Sequence, residues 1–137
     1  MACFTTEERV RAKFQLADTT LVPSALIESA IEDAHTELLR HLDPDADTDP
    51  PDPALVMGET LRSGAHLYRT LAGADAFAQK RVSIGSHRIE EGERFRALTA
   101  VAAFTEKQAW YILEPFLTGP PPRTVCDSTP SRPVMGE

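Results

Sequence analysis

Apolar residues return every three or four positions along most of this chain, and the pattern breaks at clusters of proline, glycine and aspartate. Between Pro23 and Leu42, residues Leu26, Ile27, Ala30, Ile31, Ala34, Leu38 and Leu42 share one face, opposite Glu28, Ser29, Glu32, Asp33, Thr36 and Glu37. This spacing predicts an amphipathic helix about 30 Å long, with Pro23 suited to its first position and Arg40 and His41 at the end that favours cations. Upstream, Thr5 and Glu8 have the spacing of a capping box, which predicts a first helix running to about Leu16 with Val10 and Phe14 on one face. Asp18-Thr19-Thr20 reads as the turn between the two.

Periodicity resumes at Ala54 and runs to about Ala72, with Leu61, Ala65, Tyr68 and Ala72 on a shared face. Gly58 and Gly64 lie inside this helix, where each costs up to about 1 kcal/mol relative to alanine. Their expected use is close approach of a neighbouring backbone, and Gly73 is a candidate kink. A last helix is predicted from Glu93 to Glu114, with the stripe Leu98, Val101, Thr105, Ala109, Ile112 and Phe116, and with Phe95, Ala102 and Trp110 beside it. Pro115 disfavours helical geometry at Glu114 and should end it.

Three segments lack helical periodicity. Asp43–Pro53 holds four prolines and five aspartates and reads as an acidic linker. Arg81–Ile89 alternates Val82 and Ile84 with Ser83, and Ile89 returns after Gly85-Ser86; it reads as a short strand or hairpin turning at Gly85. Such an edge needs a partner, and a second copy of the chain supplies one, so Arg81, Val82, Ile84, Arg88 and Ile89 are candidate inter-subunit contacts. Beyond Thr118, Gly119-Pro120-Pro121-Pro122 opens a tail of about twenty residues, extended rather than folded on its own. The expected organisation is a helical domain over 1–117 and a tail over 118–137. The fold class is mainly α: a small bundle of about four helices with one short β segment and a Pro-rich end.

Charge narrows the function. The 137 residues carry 14 basic and 21 acidic side chains, a net −7. A tight nucleic-acid binder presents a basic face, which this balance argues against, whereas an acidic wall lets a duplex pass without sticking. The densest basic group, Lys80, Arg81, Arg88, Arg94 and Arg96, is diluted by Glu90, Glu91 and Glu93 and suits ion pairing with an acidic neighbour. No apolar run approaches the roughly 20 residues that span a bilayer. The first residues lack the basic and apolar regions of a signal peptide, so a cytoplasmic origin is expected.

Candidate chemistry is sparse. Cys3 and Cys126 stand near opposite ends and read as free thiols. His35, His41, His66 and His87 show no His-x-x-x-His spacing. Asp43, Asp45, Asp47 and Asp49 alternate like a calcium loop, but Thr48 stands where the loop glycine belongs. No nucleophile elbow or phosphate-binding glycine loop occurs. No cofactor and no catalytic or metal residue is expected.

The order of elements resembles that of the head–tail adaptor (connector) proteins of long-tailed bacteriophages and gene transfer agents. The resemblance rests on a short capped helix, then Leu26-Ile-Glu-Ser-Ala-Ile-Glu-Asp-Ala-His-Thr-Glu-Leu38, an alanine-rich helix holding Leu67-Tyr68, a Val-Ser-Ile-Gly segment and a closing helix, over residues 5–117. It implies a virion protein without catalysis, assembled in the host cytoplasm as a ring, commonly of twelve subunits. The ring docks between the portal and a stopper or tail-completion protein, and double-stranded DNA passes through it without sequence-specific contact. Tails of such proteins embrace neighbouring ring components, which makes Pro120, Pro121, Pro122, Arg123, Val125, Arg132, Val134 and Met135 candidate docking residues. The acidic linker and long Pro-rich end depart from simple members of that family. Two readings compete: a helical DNA-packaging or regulatory module, which would need a basic recognition helix, and a metal-dependent bundle enzyme built on His35, His66 and an acid.

Overall fold

The computed structural model describes residues 3–79 and 85–122. It is mainly helical, with four α-helices in chain order: α1 Glu7–Phe14, α2 Ser24–His41, α3 Pro53–Gln79 and α4 Gly85–Leu113. A 3-10 turn, Glu114–Phe116, follows α4, as the proline at 115 dictates. The two long helices, α3 with 27 residues and α4 with 29, pack along each other. The shorter α1 and α2 also lie on α3, which makes α3 the axis of the domain.

α1 begins one residue later than the Thr5 capping box predicts. Thr6 is the N-cap, and its hydroxyl accepts from the Arg9 N–H at 3.3 Å. Thr5 is instead buried, with its hydroxyl 2.6 Å from that of Thr60 on α3. Thr60 already donates to the Val56 carbonyl, so Thr5 is the donor of that pair. α1 closes with Gln15 in the left-handed region, and Arg11 sutures the turn after it by donating to the carbonyls of Leu16 and Val22 at 2.7 and 2.8 Å. Asp18 accepts from the Thr20 N–H at 2.8 Å, the expected Asx turn. Pro23 serves as the N-cap of α2 rather than its first residue.

The apolar residues divide into two clusters along α3. Val10, Val22, Ile27, Ala30, Ile31 and Leu67 form one. Leu38, Leu55, Trp110 and Leu113 form the other. Gly58 and Gly64 hold neighbours close, as expected, but the neighbours are side chains. A Cβ on Gly58 would lie 2.4 Å from Leu113, and one on Gly64 would lie 2.1 Å from the Phe14 ring. Gly73 does not break α3, and nothing among the described residues lies within 4 Å of where its Cβ would be.

The last helix differs from its predicted face. The buried positions are Ala102, Thr105, Ala109, Trp110 and Leu113, while Val101 is exposed and Ile112 only half-buried. Thr105 and Ala109 of the expected stripe and Ala102 and Trp110 beside it are thus inside, and Leu113, which fills the space that Gly58 leaves, joins them in place of Ile112. The linker chain after α2 pairs antiparallel with the chain after α4 at Leu42 and Leu117. Asp43 N–H donates to Phe116 O at 2.8 Å, and Thr118 N–H donates to His41 O at 3.0 Å. The packed part of the domain therefore extends through Thr118, one residue past the expected boundary at 117.

The hairpin expected over Arg81–Ile89 requires correction. Arg81, Val82 and Ile84 lie outside the described residues. Gly85, where the chain was expected to turn, instead opens α4, so Arg88 and Ile89 stand in its first two turns. The alternation that suggested a strand stops at Gly85-Ser86, and Arg88-Ile-Glu-Glu91 continues into a long helix that satisfies its own backbone polar groups locally. None of the described helices is long and apolar enough to cross a membrane.

Candidate functional site

Exposed chemistry concentrates on α4. Phe104 and Tyr111 are 62% and 78% exposed, and Val101 stands beside them, also exposed. Arg96, Ala100, Phe104, Lys107 and Tyr111 succeed one another at intervals of three or four, so they line one stripe, and all are exposed. No acid lies on it. The contrasting surface is α2, where Glu28, Ser29, Glu32, Asp33 and Thr36 are exposed on the face turned away from α3. α2 and α4 are both packed on α3 rather than along each other, so the acidic face and the basic–apolar face are distinct surfaces of one subunit.

The middle of α3 is buried but polar. Glu59, Thr60, Arg62 and Ser63 all lie inside, between the Leu55 and Leu67 clusters. Two polar centres result. In the first, Glu59 is fully buried, and its Oε2 accepts the backbone N–H groups of Phe4 and Thr5 at 2.7 and 2.9 Å. With that oxygen occupied, Oε1 faces His35 Nδ1 at 2.7 Å, which makes Nδ1–H the donor. His35 is itself buried, and the edge of its ring packs against Phe4 at 5.0 Å between centroids. Its Nε2 has no hydrogen-bond partner among the described residues. Cys3 completes the group: its sulfur, a His35 ring nitrogen and a Glu59 carboxyl oxygen all lie within 4.8 Å of one another. Burial, with the nearby Glu59 and Glu32 carboxylates, pushes the Cys3 thiol up. A cavity of about 520 Å³ opens beside this centre, lined in part by Phe4, His35, Leu42, Asp43 and Pro44.

In the second centre, Arg62 is 2% exposed and pairs with Glu37 of α2. Its other terminal nitrogen is 3.4 Å from Glu106 of α4, and its guanidinium lies 5.3 Å from the centroid of the Trp110 ring. Arg69 also reaches Glu106, at 2.6 Å, and His66 Nε2 is 3.4 Å from Glu37. Burial opposes ionisation of Glu37. The His66 imidazole beside it and the Arg62 guanidinium outweigh it and hold the carboxyl at about 2. This network joins α2, α3 and α4 and has the character of a positioning device rather than a reactive site.

Several sequence expectations change here. His35 and His66, which the bundle-enzyme reading joins in one site, stand apart: each is paired with a different carboxyl, Glu59 and Glu37. Cys3 belongs to the packed domain instead of a loose terminus. The linker aspartates do not converge on a calcium position: Asp43 and Asp47 accept from the backbone N–H groups of Asp45 and Asp49, and Asp52 accepts from Ala54 at the start of α3. Of the tail candidates, Pro120, Pro121 and Pro122 are described, and Arg123, Val125, Arg132, Val134 and Met135 lie outside the described residues. Nothing in the chain pointed to Glu59, since its partners stand 24 and 55 residues away. Compared with protein-family models, curated proteins and solved structures, the chain matches none.

Proposed function

We propose that this protein is a structural subunit that assembles into a ring and serves as a head–tail connector in a phage-like particle. The observation that carries the reading is the pair of unlike faces: the basic–apolar stripe Arg96–Phe104–Lys107–Tyr111 on α4 and the acidic face Glu28–Glu32–Asp33 on α2. A contact between two different faces of identical subunits is heterologous, and where its rotation closes it generates a ring. Charge complementarity sets the register of such a contact, while the exposed aromatics supply its apolar area. The order of helices, with its resemblance to connector proteins, supplies the biological setting: a portal above, a stopper or tail-completion protein below, and DNA passing through. The acidic surface suits that passage, since it repels the duplex backbone. The Pro-rich end from Gly119 onward is suited to wrap a neighbouring component, and weak contacts repeated around a ring add through effective concentration.

The test is assembly. Full-length protein mixed with portal rings is expected to form a second ring beneath them in negative-stain images, with a matching mass increase by light scattering. A protein that ignores portal rings and stays monomeric in their presence overturns the proposal. Replacing both Phe104 and Tyr111 with Asp is expected to abolish ring formation while leaving the helical circular-dichroism signal intact.

A further inference from the structure

We infer that Cys3, His35 and Glu59 form a zinc-binding site that clamps the segment before α1 onto α2 and α3. Three ligand types that zinc accepts, a sulfur, an imidazole nitrogen and a carboxyl oxygen, converge within 4.8 Å from three separate parts of the chain. Tetrahedral coordination, with bonds of roughly 2.0–2.3 Å, requires the three atoms to draw in by about an ångström. Cys3, in the segment ahead of α1, is the ligand with the greatest freedom to move.

Two independent features point to a ligand at this place. Glu59 is fully buried, and the charged side chains that balance Glu37 and Glu106 have no counterpart beside it: its partners among the described residues are two backbone N–H groups and His35. His35 is itself only 6% exposed, and its Nδ1, the ring nitrogen on the carboxyl side at 2.7 Å from Glu59 Oε1, binds the ion once the Nδ1 proton has moved to Nε2. A buried carboxylate without a cationic partner is costly, and a divalent cation held between it and the imidazole balances it. The cavity lined by Phe4, His35 and the linker residues Leu42 to Thr48 provides a route of entry and room for a water in the fourth position. When the sulfur–zinc bond forms, the thiol proton leaves to solvent, so uptake releases one proton per site. The mixed sulfur, nitrogen and oxygen set favours zinc over calcium or magnesium, which take oxygen ligands. Zinc binding at this centre does not depend on ring assembly, and each stands or falls separately.

Full-length protein, stripped with a chelator and titrated with zinc, is expected to take up one ion per chain with a rise in melting temperature. Cobalt in place of zinc is expected to show a thiolate charge-transfer band. In site-resolved alkylation, zinc should protect Cys3 and leave Cys126 as reactive as before, which makes the second cysteine an internal control. Cys3→Ser is expected to weaken binding by about 100-fold or more and to remove the cobalt band, and His35→Gln to do the same. If His35→Gln fails to fold, Cys3→Ser decides alone, because it replaces a half-buried sulfur with a close isostere. No tight zinc uptake, uptake undiminished in Cys3→Ser, or equal protection of both cysteines overturns the inference.

Discussion

Gly58 and Gly73 sit in the same helix and differ only in what surrounds them. A methyl group on Gly58 enters the space held by Leu113, a fully buried side chain with no room to retreat. A methyl group on Gly73 meets nothing among the described residues. Gly58→Ala is therefore expected to destabilise the fold by about 1–2 kcal/mol, the overpacking cost outweighing the gain in helix propensity. Gly73→Ala is expected to stabilise it by about 0.5–1 kcal/mol. Thermal melts of the two variants should move in opposite directions. Glu37 gives a second prediction at this scale. Its folded carboxyl lies near 2 against an ordinary 4.5, so the stability it contributes is whole above pH 4.5 and lost as pH falls toward 2. The groups that face it are Arg62 and His66 of α3, and Arg62 also approaches Glu106 of α4. Acid titration of Glu37→Gln, tracked by circular dichroism, should show a shallower loss of stability across that window than the parent protein.

At the scale of elements, the fit between α3 and α4 is a two-residue arrangement: a missing side chain on one helix and a leucine on the other. Leu113→Ala is expected to cost about 2–5 kcal/mol, whereas Val101→Ala, on the exposed side of the same helix, should change stability by less than about 0.5 kcal/mol. The pair Gly58→Ala and Leu113→Ala should be strongly non-additive, because the second substitution vacates the space that the first needs. Chemical denaturation of the four members of this cycle measures the coupling. Periodicity placed α2 and the centre of α3 correctly, since their apolar positions are dense enough to define a face. On α4 it placed Ala102, Thr105, Ala109 and Trp110 correctly but favoured Val101 and Ile112 over Leu113, because small and large apolar residues ring the helix. It also read Gly85–Ile89 as part of a hairpin. Short apolar alternation does not separate strand from helix, and the residues from Gly85 to Leu113 form one continuous helix.

For the whole molecule, the unlike faces of α2 and α4 predict an assembly held partly by charge. Ring formation is expected to weaken as salt rises, and reversal of Arg96 and Lys107 to Glu should abolish it. Combining that reversal with Glu28→Lys and Glu32→Lys should restore assembly in part, as measured by mass photometry. Thr118 is tied to the end of α2 through His41 O, so the severable tail begins after it. Deleting residues 120–137 is expected to leave the helical signal unchanged and to reduce association with portal rings. An unfolded truncation would show instead that the tail belongs to the core.

The bare chain is enough to establish a mainly helical domain, its approximate helix order, the acidic linker, the Asp18 turn and the end of the last helix at Pro115. Each of these depends on residues close together in sequence, where backbone geometry and amphipathic spacing act directly. The two polar centres and the pairing of Leu42 with Leu117 depend on residues tens of positions apart. Only folding brings those residues together. Glu59 shows the difference: in the chain it is one acid among 21 acidic residues, and in the folded domain it is a buried anchor for the segment that precedes α1. Its chemistry comes from loss of water and from three specific neighbours, and the tertiary structure supplies both.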